Sequence, residues 1–381
     1  EGTVSIGADS GDKSSKHALD LLTVAGGAGL VGFGASVGYG RLDSQVSAQA
    51  DGYIHGSSVS LTANDTTSTK ALNVAAAVGG GAAGIAVAHI DRTGTTQAFF
   101  NQGGAASGQR IEAGSLSITA TTDEGNEVKS VAAAGGLAVA ANGAAGSLVD
   151  STHVRAGIGS NSRIAVGGDE LDAGQTVNVS ATRGSLVDAS ADGVGVSGGL
   201  QIGASISVAK MQGSTSATVG QGVVFDAGSS LTVSASELAA NTVKTKSTAS
   251  GGGALAGVNA GLSWSQNDAT VNASIGDDTL LPDGGVALHA THRGTQSADT
   301  FGITVGGVLA VGANTAKALT NASSSVVLGN VKTQASRLGD LDVAAAGEDT
   351  TTAKAVAGGG GLVSGQAATA LADDNTQTSV M

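Results

Sequence analysis

After the pair Gly198 and Gly199 the chain runs Leu200, Ile202, Ala204, Ile206 and Val208 against Gln201, Gly203, Ser205 and Ser207. Apolar and polar positions alternate every second residue, the period of a half-buried β-strand; a helix would bury every third or fourth residue instead. The same period runs through Val258, Ala260, Leu262 and Trp264, and through Val305, Leu309 and Val311. The apolar set is expected to face an interior. A helical alternative is confined to Val74 to Val78 and Val131 to Ala134, where Ala favours helix and the flanking Gly oppose it.

Short alternating segments ending in Ala recur at Val4 (VSIGA), Val59 (VSLTA), Leu116 (LSITA), Val177 (VNVSA), Leu231 (LTVSA), Val286 (VALHA) and Leu341 (LDVAA), with starts 55, 57, 61, 54, 55 and 55 residues apart. A Gly pair or run keeps the same register at Gly26, Gly79, Gly135, Gly198, Gly251, Gly306 and Gly358. A third landmark is a β-branched or Ala alternation closing on Gly, as in Val154, Ala156, Ile158, Gly159 and Val271, Ala273, Ile275, Gly276. Each unit reads as strand, polar link, long Gly-centred apolar strand region, polar link, short strand and loop. Residues 1–381 form one repeat array of six units and part of a seventh, with units starting near 4, 59, 116, 177, 231, 286 and 341.

Similar strands at regular spacing without helical crossovers define an all-β fold, a parallel β-helix (β-solenoid) of degenerate ~55-residue repeats. Ladders between coils let each coil manage with a narrow interior of stacked Val, Ile, Leu and Ala. A unit of this length fits three coils of about 18 residues or two of about 27, which at ~4.8 Å per coil makes a rod of roughly 60 to 100 Å. The Gly-centred tract is either a coil wall or a projecting hairpin arm.

Composition agrees with a thin, extended core. There are 62 Gly, 1 Pro, no Cys and 8 aromatics, so large anchors, collagen and disulfide frameworks are excluded. The net charge of −13 disfavours nucleic acid as a partner. Val74 to Ile90 has the length of a short membrane span, but its counterpart Gly198 to Met211 is polar at every second residue, which a lipid-facing helix does not tolerate. No direct membrane insertion of this segment is expected. The start at Glu1, with Met only at Met211 and Met381, reads as a processed piece of a longer chain.

The strands VSLTA, LSITA and LTVSA, preceded by Ala113-Gly114-Ser115 or Ala227-Gly228-Ser229 and joined to tracts such as VAAAVGGGAAGIAVA, resemble the passenger of large bacterial surface exoproteins of the filamentous-haemagglutinin type. The resemblance covers nearly the whole chain and rests on repeat style and composition. It implies a right-handed parallel β-helix, secretion across a Gram-negative outer membrane by a two-partner or autotransporter route, a location at the cell surface or outside the cell, and a role in adhesion. The implied partners are host-cell or bacterial-surface receptors or glycans, and an outer-membrane transporter or the protein's own barrel during secretion.

Candidate chemistry is sparse. Gly27, Gly29, Gly32 and Gly193, Gly195, Gly198 match G-x-G-x-x-G, but no helix pattern follows either copy. The carboxylate pairs Asp123 and Glu124, Asp277 and Asp278, Glu348 and Asp349, and Asp373 and Asp374 are the raw material of a polysaccharide-processing β-helix enzyme or of a Ca²⁺ site. In loops with few basic or aromatic neighbours they read as solvated acids. His289 and His292 are three apart, a spacing that puts them on opposite faces of a strand. Thr66 to Thr69 and Thr350 to Thr352 lie in clusters rather than rows. No catalytic residue, cofactor or metal is assigned. The expected function is a non-catalytic structural or adhesive segment; the alternatives are a β-helix lyase or hydrolase and a self-assembling matrix fibre.

Overall fold

The computed structural model describes residues 2–10, 19–104, 108–167, 175–226, 228–238, 241–333 and 339–381. The seven signature segments lie side by side in parallel, Val4 against Val59, then Leu116, Val177, Leu231, Val286 and Leu341. The chain is an all-β parallel β-helix, and one repeat makes one coil. Two or three coils per repeat are thereby excluded. Seven coils at ~4.8 Å per step span roughly 30 Å, not the 60 to 100 Å that shorter coils imply.

Each coil has a body and an arm. In the body, a first wall carries the signature, as in Ser58–Asp65; a second wall carries segments such as Val154 to Ile158; and a third face is a separate six-stranded ladder that includes Tyr53–Gly56, Arg110–Ala113 and Arg163–Val166. Inward Leu61, Ile118 and Val179 from the first wall meet Val154, Ile158, Ile111, Ile164 and Phe225 from the others in one core. The corners after the second wall use left-handed Asn101, Asn161 and Asp278, residue types that tolerate positive φ. Asn101 Nδ2 donates to Ser160 O at 2.8 Å in the next coil.

The Gly-centred tract is the arm, an outgoing and a returning half folded face to face. Among the described residues the halves bond to the adjoining coils and not to each other's backbone: Val74 pairs Val24 and Val131, Val87 pairs Val37 and Ala145. Side chains join the halves, as where Ser130 Oγ donates to Ala145 O at 2.6 Å and Thr300 Oγ1 to Thr315 O at 2.8 Å. In the first coils the filling tapers. Val128, Leu148, Ile90 and Met211 occupy the base, Ala75, Ala86, Ala132 and Ala144 the middle, and Ala77, Ala82, Ala134 and Ala140 the end. At the tip the walls touch: a Cβ on Gly136 would lie 1.9 Å from Val139 O. Val74 to Val78 and Val131 to Ala134 are strand within these walls, not helix.

In the later coils the alternation is inverted relative to the expectation. Gln201, Ser205 and Ser207 are fully buried, while Ile202 and Ile206 are 47% and 44% exposed. Val305, Leu309 and Val311 also face outward, as do Val258, Ala260, Leu262 and Trp264. The parity is set by the first wall, because Val177, Val179 and Ala181 are inward and the same odd positions continue through Val187, Ala189 and Ala191. Polar residues then stack inside: Gln201 Nε2 lies 2.9 Å from Asn142 Oδ1 and 3.1 Å from Asn259 Oδ1. Gly195 leaves room for them, since a Cβ there would lie 2.6 Å from Asn142 Oδ1.

Candidate functional site

Where body and arm join, six positions after each signature start, the inward column reads Ser10, Asp65, Thr122, Arg183, Glu237, His292 and Gly347. Arg92 and Asp150 enter from the returning side and Glu124 from the outgoing side, making a buried row of charges along the coil axis. Arg92 Nη2 lies 2.6 Å from Glu124 Oε1 and 3.4 Å from Asp65 Oδ2, with all three side chains sealed from solvent. Arg92 also donates to Thr67 O at 2.7 Å and Thr67 Oγ1 at 2.8 Å, so the Thr66 to Thr69 link closes this network. Arg183 Nη2 lies 3.1 Å from Asp150 Oδ2, which also accepts from Ser185 Oγ at 2.6 Å.

Electrostatics within the row split its carboxyls. Burial and the neighbouring charge of Asp150 push the Glu124 carboxyl well above the ordinary range, against the pull of Arg92 and Arg183. Burial alone would raise Asp150 too, but Arg183, Arg92 and the hydroxyls of Ser185 and Thr152 hold it below its ordinary value. The pattern resembles an acid and base pair pushed apart by their surroundings. Yet no solvent reaches it, and a substrate could not. It is a structural device.

His292 ends the row. Its Nδ1 bonds Glu237 Oε2 and its Nε2 lies 3.0 Å from Asp349 Oδ1, so only the doubly protonated ring donates to both carboxylates. Burial opposes the charge, but the bonds to Asp349 and Glu237 win and raise the pKa to about 9. A raised folded pKa stabilises fully below the unfolded value near 6.5 and is lost as pH climbs through about 9. The melting temperature is therefore expected to fall between pH 6.5 and 9.5, by the equivalent of about 2–3 kcal/mol. His292→Gln should flatten that slope in a pH series of thermal melts; an unchanged slope would place its origin elsewhere. His289 lies on the opposite face, 2.9 Å from Asp342. Among the described residues no three His, Asp or Glu side chains are placed to hold a metal.

The other carboxylate pairs separate. Asp123 is exposed while Glu124 is buried. Asp277 and Asp278 occupy a corner, where Asp277 accepts from Asn330 N at 2.7 Å and Asp278 lies 2.9 Å from Lys332 Nζ. Glu348 pairs outward with Arg293 at 3.0 Å while Asp349 holds His292. Asp374 accepts from Thr376 N at 3.1 Å, beside exposed Asp373. Both G-x-G-x-x-G copies lie in arms, and strand follows each.

The open polar site is on the third face, which brings together residues about one repeat apart. Tyr53, Arg110 and Arg163 form one outward column, and His55 and Glu112 stand in the next, with Asp226 beyond them. His55, Arg110, Glu112 and Asp226 border a groove of about 530 Å³, and Tyr53 and Arg163 stand beside it, bonded to its two carboxylates. Tyr53 Oη donates to Glu112 Oε2, Arg110 pairs with the other oxygen of the same carboxylate, and Arg163 grips Asp226 through Nε and Nη2, both at 3.2 Å. The bond from Tyr53, with Arg110 beside it, holds Glu112 below the ordinary carboxyl range, so it is a charged acceptor at neutral pH. The exposed ring of Tyr53, stacked on His55 at 6.4 Å, adds an apolar platform. Nothing in the spacing of single residues announces this groove; it appears only when four coils are aligned.

The chain matches no protein-family model, no curated protein and no solved structure.

Proposed function

We propose that the chain is a non-catalytic structural and adhesive segment of a large secreted or surface-anchored bacterial adhesin of the filamentous-haemagglutinin type. The observation that carries this reading is the third-face groove on a rigid ladder. Arg110 and the carboxylates of Glu112 and Asp226 in the groove, with the Tyr53 ring and the Arg163 guanidinium at its edge, are the donors, acceptors and platform that recognise sugar hydroxyls and acidic groups, and every one is held by a partner from its own or another coil. The ladder supplies stiffness, since each coil is bonded along its length to the next. Partners of this chemistry are glycans or receptors on host or bacterial surfaces, reached after export through an outer-membrane transporter or barrel.

Immobilised chain should bind members of a panel of neutral and acidic glycans or whole cells. Tyr53→Ala together with Arg163→Ala should weaken that binding by at least about tenfold, about the effect of losing one ring platform and one charge-assisted contact. Strand content by circular dichroism should not change. Full binding by the double variant would remove the groove from the reading. The same groove also favours a second reading, a polysaccharide-processing enzyme, because acids and bases converge there. Its low-pKa Glu112 lacks the raised proton a general acid needs. Release of reducing or unsaturated sugar ends by the chain, abolished in Glu112→Gln, would establish that reading instead.

A further inference from the structure

The arms carry a surface that neither the core nor the groove explains. In every coil the Gly tip is flanked by a long run without a charged side chain, such as 21–40, 71–90, 130–149 and 247–267. On the returning half the outward rows stay in register over all seven coils. One reads Phe33, Ala83, Ala141, Ile202, Val258, Val311 and Gly365. The row two residues further from the tip is almost entirely small, with Ala35, Gly143, Ala204, Ala260, Ala313 and Ala367 broken only by Ile85. Phe33, Val37, Ile202 and Ile206 are all more than 40% exposed.

We infer that this outer face of the returning arm half is the interface between two copies of this chain, packed sheet to sheet. Seven coils by about five outward rows give a flat apolar patch on the order of 1,000 Å². Monomers rarely expose more than about 300–600 Å² of contiguous apolar surface, and a stable dimer needs about 800 Å² from each partner.

Charge selects a second copy over other occupants and gives the orientation. The row that closes the patch toward the body reads Arg41, Asp91, Val149, Lys210, Gln266, Leu319 and Asp373. Lys317 lies one row nearer the tip, in the sixth coil. A two-fold axis along the strands through the fourth coil exchanges the first coil with the seventh and the second with the sixth, keeping both tips on the same side. It sets Arg41 opposite Asp373 of the second copy, and Asp91 beside Lys317 of the second copy. Lys210, on the axis, leans over the Trp264 ring at 4.8 Å and so away from its own image. A lipid surface would meet the same acidic residues and a chain of net charge −13.

The absence of Cys makes the test clean. Ala204 stands in the small row at the fourth coil, next to the axis, so Ala204→Cys should give a disulfide-linked dimer on mild oxidation. Val194→Cys, on the outgoing half's outer face, should not. Sedimentation velocity should show a dimer that dissociates at least about 100-fold more readily in Ile202→Glu with Val258→Glu. Circular dichroism of that variant should be unchanged, because both side chains already face outward. The inference is overturned by a monomer at about 100 μM, by a dimer indifferent to the two glutamates, by equal crosslinking through Val194→Cys, or by a monomer that floats with phosphatidylcholine vesicles. Glycan binding through the third face is read out separately, so either proposal can fail alone.

Discussion

Arg183→Met is expected to destabilise the chain by about 3–5 kcal/mol, the usual result of removing one partner from a buried ion pair. The guanidinium is wholly buried and is the near cation of Asp150, at 3.1 Å. Its removal leaves Asp150, with Glu124 and Glu237 nearby, in a medium that cannot solvate them. Burial already raises the Glu124 pKa well above its ordinary value; Asp150 is held below its own by Arg183, Arg92 and two hydroxyls, and loses the larger part of that hold when Arg183 is removed. Adding Asp150→Asn should therefore recover part of the loss, and urea unfolding of the two single variants and the double variant would measure the coupling. Lys70→Met supplies the contrast. Its partner Glu127 is 3.6 Å away with both side chains about half exposed, so the cost should stay below about 1 kcal/mol. Equal effects of Arg183→Met and Lys70→Met would mean that the junction is not sealed from water.

The strands and their parallel stacking were legible because alternation and repeat spacing are local properties of the chain. The number of coils was not. A strand alternates with the same period whether its partner lies 18 or 55 residues away, and only the pairing of Val59 with Val4 and Leu116 distinguishes them. Apolar alternation at Leu200 to Val208 pointed to a strand but misidentified its inner side, because hydrophobicity names the two parities without saying which one is enclosed. Counting alternate residues onward from Val177 and back from Val219 would have put Gln201, Ser205 and Ser207 inside, since both body segments fix the same odd parity. The same count places Arg183, Glu237 and His292 on the inward side of the first wall, a visible signal for the buried charges. Arg92 and Glu124 meet across the junction between different coils, and the third-face groove joins residues from four. No spacing rule in a single repeat contains those contacts.

One substitution type should act with opposite signs at two sites seven residues apart. Gly136→Ala is expected to cost about 3 kcal/mol, at the upper end for forcing atoms into a packed interior. The new methyl would lie 1.9 Å from Val139 O and 2.6 Å from its carbonyl carbon, so the tip must open. Val139 O cannot swing aside as a flexible side chain would, because this backbone is stacked between Gly81 and Leu200 of the adjoining coils. Opening one tip therefore strains three coils. At Gly143, on the outward side of the returning half, a Cβ meets nothing within 4 Å. Gly143→Ala should stabilise by about 0.4–1 kcal/mol, because alanine loses less backbone freedom on folding. Chemical denaturation of both variants at the same protein concentration would read the difference. If both cost the same, the tips are loose and the taper from Leu148 through Ala144 to Ala140 does not set the close approach of the walls. If only Gly136→Ala is costly, wall contact at the tip explains why the Gly pairs keep their register in every repeat, and why the arm narrows where they stand.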